Sequence, residues 1–224
     1  MQDTAPIGII GLGLIGAAVC ERLIDAGMPL LGFDIDPARC ESLEANGGLV
    51  AASVRELANQ SRVVIVAVYS GTQAEALLDD IEDGAGGLPT TMICMTTCAP
   101  HEIARLSERT VNAGIALIEA PVSGTSAELR DGRAVMLLGA EPALVESLGT
   151  LLDILCPRRL RVGAVGDASR TSLRSTWSCR PTGLRSPRVL PSPKSWGSMD
   201  APSWRQRAPP LPTRASWKPR ARKC

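Results

Sequence analysis

The stretch IGIIGLGLIG, Ile7 to Gly16, constrains this chain more tightly than any other segment. Ile7–Ile10 is an apolar run of strand length, and Gly11-Leu12-Gly13-Leu14-Ile15-Gly16 is a GxGxxG. Val19, Leu23 and Ile24 then recur at helical spacing until Gly27 stops them. A glycine triplet alone is a weak signal. Between a strand and a helix, with an acid closing the next strand, it is a strong one. Asp34 is that acid, 18 residues beyond Gly16 at the end of the apolar run Leu30–Phe33. Gly11 permits a tight turn, Gly13 removes a Cβ that would block an approaching pyrophosphate, and Gly16 lets helix and strand pack closely. Leu12, Leu14 and Ile15 fill the same turn. The helix start then offers free N–H groups and a positive dipole end to phosphates.

The segments that follow predict an α/β fold: a Rossmann-type, doubly wound, mostly parallel sheet. Pro37 suits a helix first turn, with Asn46-Gly47-Gly48 as its stop, and Leu49–Ala51 reads as a short strand. Ser53 with Glu56 reads as a capping box for the next helix. Val63–Val68 is a β-branched run suited to a central strand covered on both faces. A helix over Gln73–Leu78, a glycine-rich loop over Asp83–Pro89, a strand over Met92–Met95 and a helix from Pro100 to about Asn112 come next. Strands over Ile115–Glu119 and Val135–Leu138, a helix over Pro142–Leu152 and a short strand over Leu160–Val162 complete the pattern, which stops after Gly166. The expected division is a dinucleotide-binding domain over 1–166 and a disordered tail over 167–224.

Chemistry narrows the cofactor. Asp34 would accept hydrogen bonds from the adenosine ribose hydroxyls, and a carboxylate there repels a 2′-phosphate. No Arg follows directly in Ile35-Asp36-Pro37, so NAD is expected in preference to NADP. A FAD site of the same geometry and a turn that binds nothing are the alternatives. The seven cysteines are scattered without a CxxC pair, so no metal site is expected, and reduced thiols suit a cytoplasmic protein. Neither a signal peptide nor an apolar run long enough to span a membrane is evident. His101, the only histidine, sits in a helix first turn and reads as a surface residue.

Three further stretches, MTTCAP (Met95–Pro100), EAPVSG (Glu119–Gly124) and DGRAVMLLGA (Asp131–Ala140), follow the fingerprint in order and spacing. With it they resemble the β-hydroxyacid dehydrogenases, the group containing 3-hydroxyisobutyrate dehydrogenase, from about Pro6 to Gly166. The resemblance implies an oxidoreductase passing hydride from a small hydroxy acid to the nicotinamide. It implies that Val68 and Tyr69 line the cofactor, and that Thr97, with Thr96 beside it, contacts the nicotinamide ribose or the substrate. Ser123 and Gly124 would hold the substrate carboxylate. Thr125 stands where the family usually has a second glycine, a departure that bears on loop shape and substrate choice. The family's catalytic lysine, from a K-x-x-x-N helix just after this domain, has no counterpart: up to Arg170 there is no lysine, and none of Lys194, Lys218 and Lys223 matches the pattern. Its expected place is near Ser172.

Charge divides the chain at that point. Up to Arg170 there are 12 arginines and 22 carboxylates, a net of −10; beyond it are 12 Lys or Arg and one acid, Asp200, a net of +11. All four tryptophans and nine of the 17 prolines lie there too. Shifting the codons of this segment by one base permits Lys at Thr171/Ser172 and Asn at Ser175/Thr176, inside an apolar helical sequence of the family type. The constrained pairs agree: Trp196/Gly197 must yield Gly and Trp217/Lys218 must yield Glu, both within family-like runs, and no stop codon is forced. The expectation is an out-of-frame tail, an inactive chain and loss of the family's homo-oligomer. The competing function is a nucleic-acid or polyanion-binding arm of cations and indoles. Salt-screened, non-specific attraction is expected of such a charge whatever its origin, so no specific nucleic acid and no membrane partner is expected.

Overall fold

The computed structural model describes residues 5–84 and 91–178. The elements alternate as the apolar periodicities dictate. β1 (Ile7–Ile10), α1 (Leu14–Asp25), β2 (Leu30–Phe33), α2 (Pro37–Ala45), β3 (Leu49–Val50), α3 (Val54–Gln60) and β4 (Val63–Val66) make the first half. α4 (Gly71–Ala76), α5 (Leu78–Gly84), β5 (Thr91–Cys94), α6 (Pro100–Asn112) and β6 (Ala116–Glu119) follow. β7 (Val122–Ser123), α7 (Ser126–Arg130), β8 (Val135–Gly139), α8 (Pro142–Ser147), α9 (Gly149–Leu155), β9 (Arg159–Gly163) and α10 (Asp167–Ser178) complete the order.

Among the described residues nine strands join one sheet in the order β3-β2-β1-β4-β5-β6-β8-β7, with β9 paired to β8 off this path. Every pairing from β3 to β6 is parallel, and β8 runs antiparallel to β6 and β7. The order reverses direction at β1, between β2 and β4, which opens a crevice at the carboxyl ends of those strands. β4 shows why the sheet is buried on both faces. Val63 and Ile65 enter the core beneath α1, α7 and α9; Val64 and Val66 enter the other, beneath α3 to α6.

Several boundaries differ from the sequence expectation. β4 ends at Val66, so Val68 lies in the following loop. The helix expected over Pro142–Leu152 is two, α8 and α9, divided at Leu148. At α3 the Ser53 hydroxyl accepts the Glu56 N–H at 3.1 Å, but the Glu56 carboxylate accepts from Ala52, one residue before the cap, at 2.7 Å. The expected box is therefore half formed. β7 and α7 lie between the strands expected over Ile115–Glu119 and Val135–Leu138, where the sequence suggests no element.

The largest correction concerns the limit at Gly166. Residues 167–178 are helical, with Ala168, Ser169 and Ser172 buried, and α10 packs on β8, β9 and α6. The reason lies far away in sequence. Glu119, fully buried at the end of β6, accepts the N–H of Gly166 at 2.6 Å on Oε2 and that of Ser169 at 2.7 Å on Oε1. A carboxylate at a helix start satisfies orphan donors and faces the positive dipole end, so a segment of poor apolar pattern is held in place. The remaining expectations for the tail fall outside the described residues.

Candidate dinucleotide site

The three glycines of the turn are not equivalent. Gly11 has φ 93°, and the Ala67 carbonyl oxygen lies 2.6 Å from where a Cβ would sit. At Gly16 a Cβ would run into the Gly11 carbonyl oxygen. Both are demanded by the protein's own packing. Gly13 is not: Arg39 Nη1 alone comes within reach of a Cβ there, at 3.7 Å. It is also the N-cap of α1, with no side chain capping the helix and no acid in its first turn. A position kept as glycine, open to solvent and facing uncapped N–H groups, fits a phosphate-bearing ligand that approaches the backbone.

Asp34 closes β2 beside this turn. Its Oδ2 accepts the Leu12 N–H at 2.6 Å and its Oδ1 the Asp36 N–H at 2.9 Å. Arg39 Nη1 stands 3.2 Å from Oδ2. Burial opposes ionisation of this carboxyl, but the N–H groups of Asp36 and Leu12 and the Arg39 guanidinium outweigh it, so its pKa lies below the usual 3.8. The sign follows: stability from ionised Asp34 is present above pH 3.8 and is lost as pH falls through the lower folded value. Asp34→Asn should therefore flatten the acid limb of a urea-midpoint profile below that pH and leave its slope above pH 5 as in the parent chain.

Exposure marks the rest of the groove. Leu14, Ile35 and Tyr69 are 78%, 88% and 94% exposed; Leu14 opens α1, and Ile35 and Tyr69 lie in the connections after β2 and β4. Each is a large side chain left in water in the connection that follows one of the neighbouring strands β1, β2 and β4. Ile15 is partly buried against the core. The two threonines of MTTCAP divide their roles. Thr96 is buried and its hydroxyl donates to Val68 O at 3.0 Å, bracing the end of β5 to the loop after β4; Thr97 is exposed. Cys94 and Cys98 both direct their thiols at Thr96 O, at 3.9 and 3.5 Å, and the described cysteines are all unpaired.

Farther along the same edge, Ser123 and Gly124 are exposed, and Gly124 has φ 141°, which favours glycine. Thr125 is tolerated because it is the N-cap of α7 at φ −87°. Its N–H and hydroxyl are both spent on the Glu128 carboxylate, at 2.8 and 3.0 Å, so it holds the loop rather than presenting a free donor. Ser172, the place expected for a lysine, is buried on α10. His101 is exposed, as read from its helical position. Arg39 is not adjacent to Asp34 in sequence; α2, which opens at Pro37, carries it to within 3.2 Å of the carboxylate. Among the described residues no group of His, Cys, Asp and Glu could hold a metal, and no helix is long and apolar enough to cross a membrane.

Strand order and turn together define a Rossmann-type dinucleotide-binding domain. The family described as the NAD binding domain of 6-phosphogluconate dehydrogenase matches residues 6–163, and the chain belongs to it. It is 29% identical over 160 residues to the mitochondrial 3-hydroxyisobutyrate dehydrogenase of Drosophila melanogaster, covering 71% of this chain and 49% of that protein. To L-threonate dehydrogenase of Cupriavidus necator it is 30% identical over 165 residues, 72% of this chain and 55% of that one. The chain thus spans about half the length of these relatives. In fold it is similar to Mycobacterium tuberculosis 3-hydroxyisobutyrate dehydrogenase solved with L-serine (TM-score 0.74, 22% identity, 78% of this chain and 60% of that one). It is also similar to a Myxococcus stipitatus imine reductase in complex with NADP+ (TM-score 0.71, 22% identity, 77% and 61%).

Proposed function

We propose that the chain is the cofactor-binding half of a β-hydroxyacid dehydrogenase, with NAD as cofactor and a small hydroxy acid as the substrate of the complete enzyme. The observation that carries this reading is Gly13, which the protein's own packing leaves open while it enforces Gly11 and Gly16. When bound, the dinucleotide supplies the nicotinamide ring that exchanges hydride with a substrate carbon. The chain's residues bind and orient it. The N-terminus of α1 meets the pyrophosphate, Asp34 the adenosine ribose, and Val68, Tyr69 and Thr97 the nicotinamide end. Ser123 and the Gly124 N–H receive the substrate carboxylate.

Proton transfer is the missing step. No lysine occurs up to Arg170, and position 172 is serine. Loss of a positioned acid–base group costs roughly 10² to 10⁴ in rate, and loss of the positioning that a closed cleft provides adds to it. The purified chain is expected to bind NAD and to form no NADH with any short hydroxy acid. Calorimetry and a reduction assay test the two halves separately: no NAD binding would sink the cofactor reading, and clear turnover the inactivity. We read residues from 171 onward as translated out of frame, which resequencing of codons 165 to 175 tests directly.

A further inference from the structure

The turn after β5 holds two thiols that dinucleotide binding does not use. Cys94 ends β5 and Cys98 lies two residues before α6, and they are 0% and 1% exposed. Both sulfurs lie against one acceptor, the Thr96 carbonyl oxygen, at 3.9 and 3.5 Å, and they are hydrogen-bonded to each other. Cys156 is buried too, but its thiol is turned to the Ala134 and Arg158 carbonyls. The hydrogen bond from Cys98 favours Cys94 as the thiolate and holds it below the usual 9.0, whereas the same contact and burial push Cys98 up. Glu119, paired in register with Cys94, opposes an anion at either sulfur, and Glu102 opposes one at Cys98. A neutral disulfide carries neither penalty.

We infer that Cys94 and Cys98 are a reversible oxidation site: hydrogen peroxide converts the dithiol to a disulfide, and the disulfide weakens the nicotinamide end of the dinucleotide site. The Cys94 sulfur attacks one peroxide oxygen and the O–O bond breaks, leaving a sulfenic acid and one water. The Cys98 sulfur then attacks the sulfenic sulfur, the S–O bond breaks, and a second water leaves with the thiol proton. Two electrons pass from the sulfur pair to the peroxide. Closing the bond takes both S–H donors from the Thr96 carbonyl. The Thr96 hydroxyl braces Val68 O, so a shift there reaches the loop after β4 and the exposed Thr97 together. Access runs through the same turn. Cys98 lies between exposed Thr97 and partly buried Ala99, so a local opening admits a small uncharged oxidant. The affinity effect rests on the dinucleotide reading above; the sulfur chemistry does not.

The test uses the full 224-residue chain. Trypsin releases residues 63–105, between Arg62 and Arg105, a peptide that contains Cys94 and Cys98 and no other cysteine. After hydrogen peroxide and alkylation of the remaining thiols, this peptide is expected unalkylated and lighter by two hydrogens. Dithiothreitol should restore both the mass and the NAD affinity. Cys98→Ala should give no disulfide and leave Cys94 as an oxyacid, heavier by oxygen. By calorimetry the oxidised chain is expected to bind NAD roughly 3- to 10-fold more weakly, the loss of about one net hydrogen bond. Binding of 5′-AMP, which reaches only the adenosine corner, should not change. By linkage, saturating NAD should disfavour the disulfide by the same factor. A peptide that keeps both thiols after peroxide, or a disulfide that leaves NAD affinity unchanged, overturns the inference. Failure of the reduced chain to bind NAD removes the dinucleotide reading and the affinity effect with it, while the peptide mass still decides the sulfur pair.

Discussion

Gly13→Val should abolish dinucleotide binding while leaving the thermal midpoint where it was, whereas Gly16→Ala should damage the fold itself. The contrast follows from what surrounds each position. A Cβ at Gly13 meets only the end of the flexible Arg39 side chain, at 3.7 Å, so the folded protein has room for it. It would occupy the space through which a pyrophosphate reaches the uncapped N–H groups of α1. Phosphate recognition by backbone donors tolerates little displacement, and an affinity loss of about 100-fold or more is expected, a figure that corresponds to losing roughly two charge-assisted contacts. At Gly16, a methyl group would meet the Gly11 carbonyl oxygen, which is fixed backbone. Overpacking of that kind costs about 1–3 kcal/mol, more where no rotamer can relieve it. Calorimetric titration and a melting curve on each variant separate the two outcomes. Equal loss of stability in both would mean that Gly13 is there for packing, and the site argument would fail.

Glu119→Ala should produce the second large effect, and it should be felt at α10. The carboxylate is fully buried and accepts two backbone N–H groups, from Gly166 and Ser169. Truncation leaves two donors without partners and a void where the side chain stood. Each unsatisfied buried group costs about 1–3 kcal/mol, so a destabilisation of about 2–6 kcal/mol is expected, a large part of a typical domain's stability. Urea midpoints measure the total. Limited proteolysis locates it: cleavage within 166–178 should accelerate before cleavage in the parallel sheet does. Glu119→Gln retains one carbonyl acceptor but turns an amide donor toward the second N–H, so it should fall between. A Glu119→Ala chain with parent stability and an intact α10 would show that other contacts hold the helix.

The legibility of this molecule in its sequence follows a physical division. β1, the glycine turn, α1, β2 and Asp34 were readable because each interaction that defines them is local or repeats at a fixed period. The fold class followed from that alternation. Ser123, Gly124, Thr96 and Thr97 entered through a resemblance; the division of labour between Thr96 and Thr97 did not show, because it depends on whether a hydroxyl finds Val68 O across 28 positions of chain. Arg39 was missed for a smaller version of the same reason, a return made by one helical turn. α10 was missed for the larger version. Its own residues carry little apolar pattern, and the group that holds it is Glu119, 47 and 50 positions earlier.

The junction at Glu119 also has a practical side. The first turn of α10 is seated by the Gly166 and Ser169 N–H groups on Glu119, so the heading of the chain as it leaves the sheet is set there. A carboxyl-terminal half borrowed from a related dehydrogenase and spliced after that turn would take its heading from this seat, and the joint could be relocated along the helix without redesigning the sheet beneath it.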